Sequence, residues 1–157
     1  MRKEAVHPGF LTKARAWCAR QERSQQEVRD KLCGWKAPAK DIEAIVARLI
    51  GEGFLNEARF AEHFAVSKSR QKGWGRRKIE LALKAKGVSD ACIVAGLRAI
   101  DAGEEEEQLR IAVAKRWERV QETDPFARRE KVIRYFLGKG FERDNVERAL
   151  STNELGR

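Results

Sequence analysis

This chain of 157 residues predicts an all-α fold, an elongated array of three tandem three-helix repeats. Three observations carry the prediction. Ala, Glu, Lys, Arg and Leu make up just over half of the chain, a bias that favours helices. Apolar residues are spaced at helical intervals wherever a period can be judged, and no convincing period-two strand is present. Finally, Val28, Leu32, Ala37, Ile42 and Val46 recur 51 residues later as Ile79, Leu83, Val88, Ile93 and Leu97. They recur 53 residues further on as Val132, Phe136, Phe141, Val146 and Leu150, and Gly87 matches Gly140.

The elements follow in order. A first helix is expected over 11–22, and a second over 25–34, opened by Ser24-Gln25-Gln26-Glu27. That string is a capping box, in which the Ser24 hydroxyl accepts from a first-turn amide and Glu27 reaches back to the Ser24 amide. The third helix, 39–50, carries the Ile42, Ile45, Val46, Leu49, Ile50 stripe and stops at Gly51. Asn56 is an N-cap for 57–71, helix 76–86 ends before Gly87, and Ser89 caps 90–101. Four carboxylates, Glu104 to Glu107, open a helix over 104–121, where they favour the positive end of its dipole. Asp124 and Pro125 suit the cap and first position of 126–138, Gly140 marks its end, and 143–151 is the last helix.

The corresponding repeats are 11–55, 56–101 and 102–152, between tails at 1–10 and 153–157. Each unit of about 50 residues buries its apolar faces against its own helices and its neighbours, and such arrays extend rather than round up. Their long surfaces suit binding along a polymer. Leu, Ile, Val and Phe amount to a little under a quarter of the chain, enough to build a core.

The chain carries 33 basic and 24 acidic residues, so a partner bearing negative charge is expected, nucleic acid first. Residues 1–55 and 56–101 have net charges of +4 and +5, whereas 102–157 are neutral. The densest window is 68–86, with Lys68, Arg70, Lys72, Arg76, Arg77, Lys78, Lys84 and Lys86 against Glu80 alone. On a helical wheel Ile79, Ala82 and Leu83 define the buried side, so Arg77 and Lys84 face outward together. Several cations acting at once on a polyanion release condensed counterions, which one rim ion pair cannot do. Within this window Gly73-Trp74-Gly75 permits a tight turn. It would either present Trp74 to a base or partner protein, or fold it back over the repeat core. Trp17, Trp35 and Trp117 sit on helical segments and read as core.

Chemistry is conspicuously missing. Gly73-Trp74-Gly75 lacks the third glycine and preceding strand of a dinucleotide fingerprint, and there is no phosphate-binding G-x-x-x-x-G-K-[ST] loop. His7, placed in the N-terminal tail, and His63, on a helix beside Glu62 and Phe64, read as non-catalytic. Cys18, Cys33 and Cys92 form no C-x-x-C pair and read as small apolar core residues rather than disulfide partners or zinc ligands. The expectation is a protein that is no enzyme, with no catalytic, cofactor-binding or metal-binding residues. No stretch suits a membrane span and the start lacks a signal-peptide centre, so a cytoplasmic protein is expected.

Two strings carry a family resemblance. Residues 56–88, NEARFAEHFAVSKSRQKGWGRRKIELALKAKGV, resemble the middle of the RecX regulatory family, and WCARQERSQQEVRDKL, residues 17–32, resembles the region near its start. The specific features are Arg59-Phe60-Ala61 on one helix and the glycine-bracketed aromatic before Arg76-Arg77-Lys78-Ile79. The third copy matches mainly in its apolar pattern. Asn56-Glu57 stands where acidic pairs are common, and Arg20-Gln21-Glu22-Arg23-Ser24 where a histidine often precedes the serine.

The resemblance implies three tandem three-helix repeats that bind along the filament of RecA recombinase on DNA, dampen its ATPase, strand-exchange and coprotease activities, and limit filament growth. It implies no cofactor. Combined with the charge window, it makes Lys68, Arg70, Lys72, Trp74, Arg76, Arg77, Lys78 and Lys84 the candidate filament-binding residues of a monomer. Single- and double-stranded DNA would be weaker, salt-sensitive partners. The third copy would remain free for protein contact, its glutamates repelling nucleic acid. Two other readings are a direct DNA-binding protein that competes for DNA, and a helical interaction scaffold whose charge serves solubility.

Overall fold

The computed structural model describes residues 7–156. Among them are nine α-helices and no strand: α1 (Pro8–Arg20), α2 (Gln25–Gly34), α3 (Ala39–Gly51), α4 (Glu57–Lys72), α5 (Arg76–Ala85), α6 (Asp90–Arg98), α7 (Ala102–Arg119), α8 (Pro125–Gly138) and α9 (Arg143–Thr152).

The repeat is written in the backbone. At the end of α2, α5 and α8 the amides of Ala37, Val88 and Phe141 donate to the carbonyls of Leu32, Leu83 and Phe136 at 3.0, 3.1 and 3.0 Å. These are the six-to-one bonds of a Schellman cap, which requires a left-handed residue just before the donor. That residue is Lys36, Gly87 and Gly140, at φ 63°, 75° and 98°. Val28, Ile79 and Val132, one per repeat, have no exposed surface. The apolar register found in the sequence is therefore the register of the fold.

Caps explain where helices begin. Ser24 accepts from the Glu27 amide at 3.0 Å while Glu27 accepts from the Ser24 amide at 3.3 Å, completing the expected capping box. Asn56, Ser89 and Asp124 accept from the amides of Arg59, Cys92 and Ala127. The seventh helix starts two residues before its expected position because Asp101 is its cap, accepting from the Glu104 amide at 2.8 Å.

The described residues form two compact units. The first takes the chain up to His63 together with Leu83–Gly96, and its main core gathers Leu11, Ala14 and Cys18 of α1, Val28 and Leu32 of α2, and Ile45, Val46 and Leu49 of α3. The second takes Phe64–Ala82 and the chain from Leu97 on, with a core of Leu109, Val113 and Trp117 from α7, Val132, Ile133 and Phe136 from α8, and Val146, Ala149 and Leu150 from α9. The residues of the middle repeat are thus divided between the units.

Several expectations change. Of the proposed N-terminal tail, residues 1–6 lie outside the described residues, but α1 already starts at Pro8, and Phe10 packs on the first core. His7 is its cap, accepting from the Gly9 amide through Nδ1 at 3.2 Å. At the other end Arg157 lies outside the described residues, while Leu155 packs on the second core and the Asn153 side-chain amide donates to the Arg110 and Ala149 carbonyls. Residues 153–156 are therefore integral to the third repeat. Of the cysteines only Cys18 is buried, and burial raises its thiol pKa. Cys33 is exposed because it follows core Leu32 around the helix, and Cys92 is half-buried. Trp117 is core, but Trp17 and Trp35 are only half-buried.

Candidate nucleic-acid interface

The site begins with a turn. Gly73 has φ 64°, a left-handed conformation that a side chain would strain. Gly75 is buried, and its amide donates to the Lys139 carbonyl at 2.8 Å. A Cβ there would lie 2.4 Å from the carbonyl carbon and oxygen of Gly140. The approach is reciprocal, since a Cβ on Gly140 would lie 2.5 Å from the Lys78 amide nitrogen. Lys139 completes the clamp by donating through Nζ to the Lys72 carbonyl at 2.9 Å. The turn between α4 and α5 is thereby seated on the turn between α8 and α9.

This seat fixes Trp74. Its amide donates to the Lys68 carbonyl at 3.1 Å, and its ring meets Phe64 edge-on, with centroids 6.4 Å apart. The ring folds back on α4, yet it remains half-exposed. The Lys68 and Lys78 ammonium groups stand 5.1 and 4.6 Å from its centroid, within cation–π range. Lys72 and Arg77 lie on either side of the turn in sequence and are exposed.

The remaining predicted residues have other partners. Arg70 makes a bidentate pair with Glu104, from Nε at 2.9 Å and Nη2 at 3.0 Å, and that hydrogen bond raises its pKa. Arg76 is half-buried and works as a strut: Nη1 and Nη2 donate to the carbonyls of Leu97 and Ile100 at 2.8 and 3.3 Å, and Nε donates to Glu105 at 3.1 Å. It satisfies carbonyls around the end of α6 that have no helical donor. Lys84 is exposed on α5, but it belongs to the first compact unit, whereas the other seven belong to the second.

The arrangement therefore separates into an aromatic–cation cluster of Lys68, Trp74 and Lys78, flanked by Lys72 and Arg77, and two arginines held by the acidic run that opens α7. Sequence reasoning assigned Glu104 and Glu105 to the helix dipole and missed their role as ion-pair partners. It also missed the Lys139-Gly140 seat. The match between Gly87 and Gly140 signalled a repeated turn, but nothing local to residue 140 indicated that Gly75 would rest on it. Among the described residues no three His, Cys, Asp or Glu side chains are grouped as metal ligands, and no helix is long and apolar enough to cross a membrane.

Comparison with known proteins adds independent findings. Family models for the first, second and third three-helix domains of RecX match residues 11–49, 56–97 and 104–150. A protein of Ralstonia pickettii named regulatory protein RecX is 31% identical over 147 residues, covering 88% of this chain and 86% of that protein. One of the same name from Clostridium perfringens is 29% identical over 137 residues, 84% of this chain. There the chain spans only 64% of the relative's length. The crystal structure of RecX from Lactobacillus salivarius shares the fold, with a TM-score of 0.83, 22% identity and coverage of 92% of this chain and 94% of that one.

Proposed function

The chain belongs to the RecX family, and from that premise we propose that it is a regulatory protein which binds the RecA–DNA filament and lowers its ATPase, strand-exchange and coprotease activities. The observation that carries this reading is the cluster around Trp74. Lys68 and Lys78 hold their ammonium groups against one half-exposed ring, with exposed Lys72 and Arg77 alongside. A ring supplies a stacking surface and the cations meet phosphates, the combination used on single strands of nucleic acid.

No catalytic step is needed. A protein that binds one state of a filament more tightly than another shifts the filament toward that state, by no more than the difference between the two affinities. Arg70 and Arg76 have a different part in the proposal: their pairs with Glu104 and Glu105 order α7 against the turn-bearing segment, and Arg76 positions rather than binds.

The test is RecA ATP hydrolysis on single-stranded DNA with increasing amounts of the protein. The double reversal Lys72→Glu, Arg77→Glu leaves the arginine struts intact, so helicity is expected to stay unchanged while inhibition is lost. Full inhibition by this variant would remove the basic cluster from the mechanism. Binding to naked DNA as tight as to the filament would favour direct competition for DNA.

A further inference from the structure

The third repeat is electrically neutral as a whole, yet its cations are gathered. Arg116 and Arg119 of α7 and Lys131, Arg134 and Tyr135 of α8 line a cleft of about 550 Å³ whose lining contains no carboxylate. Lys131 pairs with Glu122 at 3.0 Å and Arg134 lies near enough to Glu130 to interact with its charge, both carboxylates outside that lining, while Arg116 and Arg119 form no ion pair among the described residues. The Arg116 guanidinium stacks 3.8 Å from the Tyr135 ring centroid, and its Nε is buried without a hydrogen-bond partner. Tyr135 is 38% exposed.

Register supplies a second, independent observation. The first helix of each repeat buries two residues four apart: Ala14 and Cys18, Ala65 and Ser69, Val113 and Trp117. The residue just before the second of these is Trp17, Lys68 and Arg116. All three enter cation–π pairs: Trp17 with Arg23 at 3.9 Å and Lys31 at 5.5 Å, Lys68 with Trp74 at 5.1 Å, and Arg116 with Tyr135 at 3.8 Å. Lys31 and Tyr135 are themselves equivalent, each preceding the buried Leu32 or Phe136 of its second helix. The ring and the cation have changed places between the first and third repeats while the pair has persisted.

We propose that the cleft of the third repeat is a nucleic-acid contact in its own right, taking the phosphodiester backbone of a DNA strand on Arg119 and Arg134 and a base against the exposed part of Tyr135. Positive charge alone would suit an acidic peptide equally. The exposed Tyr135 ring, set beside Arg116, adds a flat stacking face to the cations, which favours a strand whose bases have faces to stack. The reading does not depend on the cluster around Trp74.

The experiment is fluorescence anisotropy of a labelled oligothymidylate with the full chain, across a salt series. Arg119→Glu with Arg134→Glu is expected to weaken binding about tenfold or more and to make the slope of log affinity against log salt shallower by about 1.4, roughly 0.7 for each phosphate of a single strand that is no longer neutralised. Tyr135→Ala is expected to weaken binding about tenfold with little change in slope, and Tyr135→Phe to restore it, since stacking needs only the ring. Circular dichroism and thermal unfolding report whether the chain has kept its fold, and the Ala and Phe variants carry the test should the charge reversal disturb it. Unchanged affinity and slope in both the reversal and the Ala variant would overturn the proposal. So would intact DNA binding together with abolished binding to polyglutamate, which would assign the cleft to an acidic protein. The Lys72→Glu, Arg77→Glu variant serves as reference: if it alone weakens binding, this inference fails while the proposed function stands.

Discussion

Single residues decide whether the turn carrying Trp74 can exist. Gly75 and Gly140 approach so closely that neither tolerates a β-carbon without backbone movement. Gly75→Ala should therefore destabilise the protein by about 1–3 kcal/mol, the range for forcing extra volume into a packed site. In a domain of this size that is a fall in Tm of about 2–4 °C for each kcal/mol, readable by thermal circular dichroism. An unchanged Tm would mean that the two turns are not seated on each other. The glycine bracket around Trp74 was legible as permission for a turn. Which glycine serves conformation and which serves close approach was not, because the second role depends on a partner 65 positions away. Lys36 teaches the converse. It holds the left-handed cap position that glycine holds in the other two repeats, so the absence of glycine there did not signal the absence of the turn.

Elements were the most readable level, because caps and apolar spacing are local. The Ser24 box, the Asn56, Ser89 and Asp124 caps and the Pro125 start all stand where side-chain chemistry placed them. Ser24→Ala should cost about 1 kcal/mol of stability in urea unfolding, since removal of this buried hydroxyl would leave the Glu27 amide unmatched. A loss confined to a few tenths would indicate that Glu27 alone sustains the cap. Lys86 adds to the same box, donating to the second Glu27 oxygen at 2.9 Å, a long-range contact that no local pattern announced. The start of α7 was misplaced for a related reason. The run of glutamates drew the boundary to residue 104, although the shorter Asp101 side chain is the group that reaches a first-turn amide.

At the scale of the whole molecule, binding to a polyanion should be cooperative in charge. Affinity for single-stranded DNA is expected to fall linearly in log salt, with a slope of about −0.7 for each phosphate neutralised, and filament-dependent ATP hydrolysis to fall at substoichiometric protein. A flat salt response would assign recognition to protein contacts alone. The charge count located the excess in the first two repeats, and counting could do no more, because net charge is a sum and binding depends on where unpaired cations stand. Arg70 and Arg76 counted toward the excess but are matched by Glu104 and Glu105. The neutral third repeat gathers Arg116, Arg119 and Arg134 in a cleft free of carboxylates. What the sequence determined by itself was the helical class, the threefold repeat, most helix boundaries and the family, since all of these rest on periodicity and local hydrogen bonding. Tertiary structure alone decided which cations are consumed internally, what supports Trp74 and where a neutral repeat concentrates positive charge. Those properties depend on distances between residues remote in the chain, which no local pattern encodes.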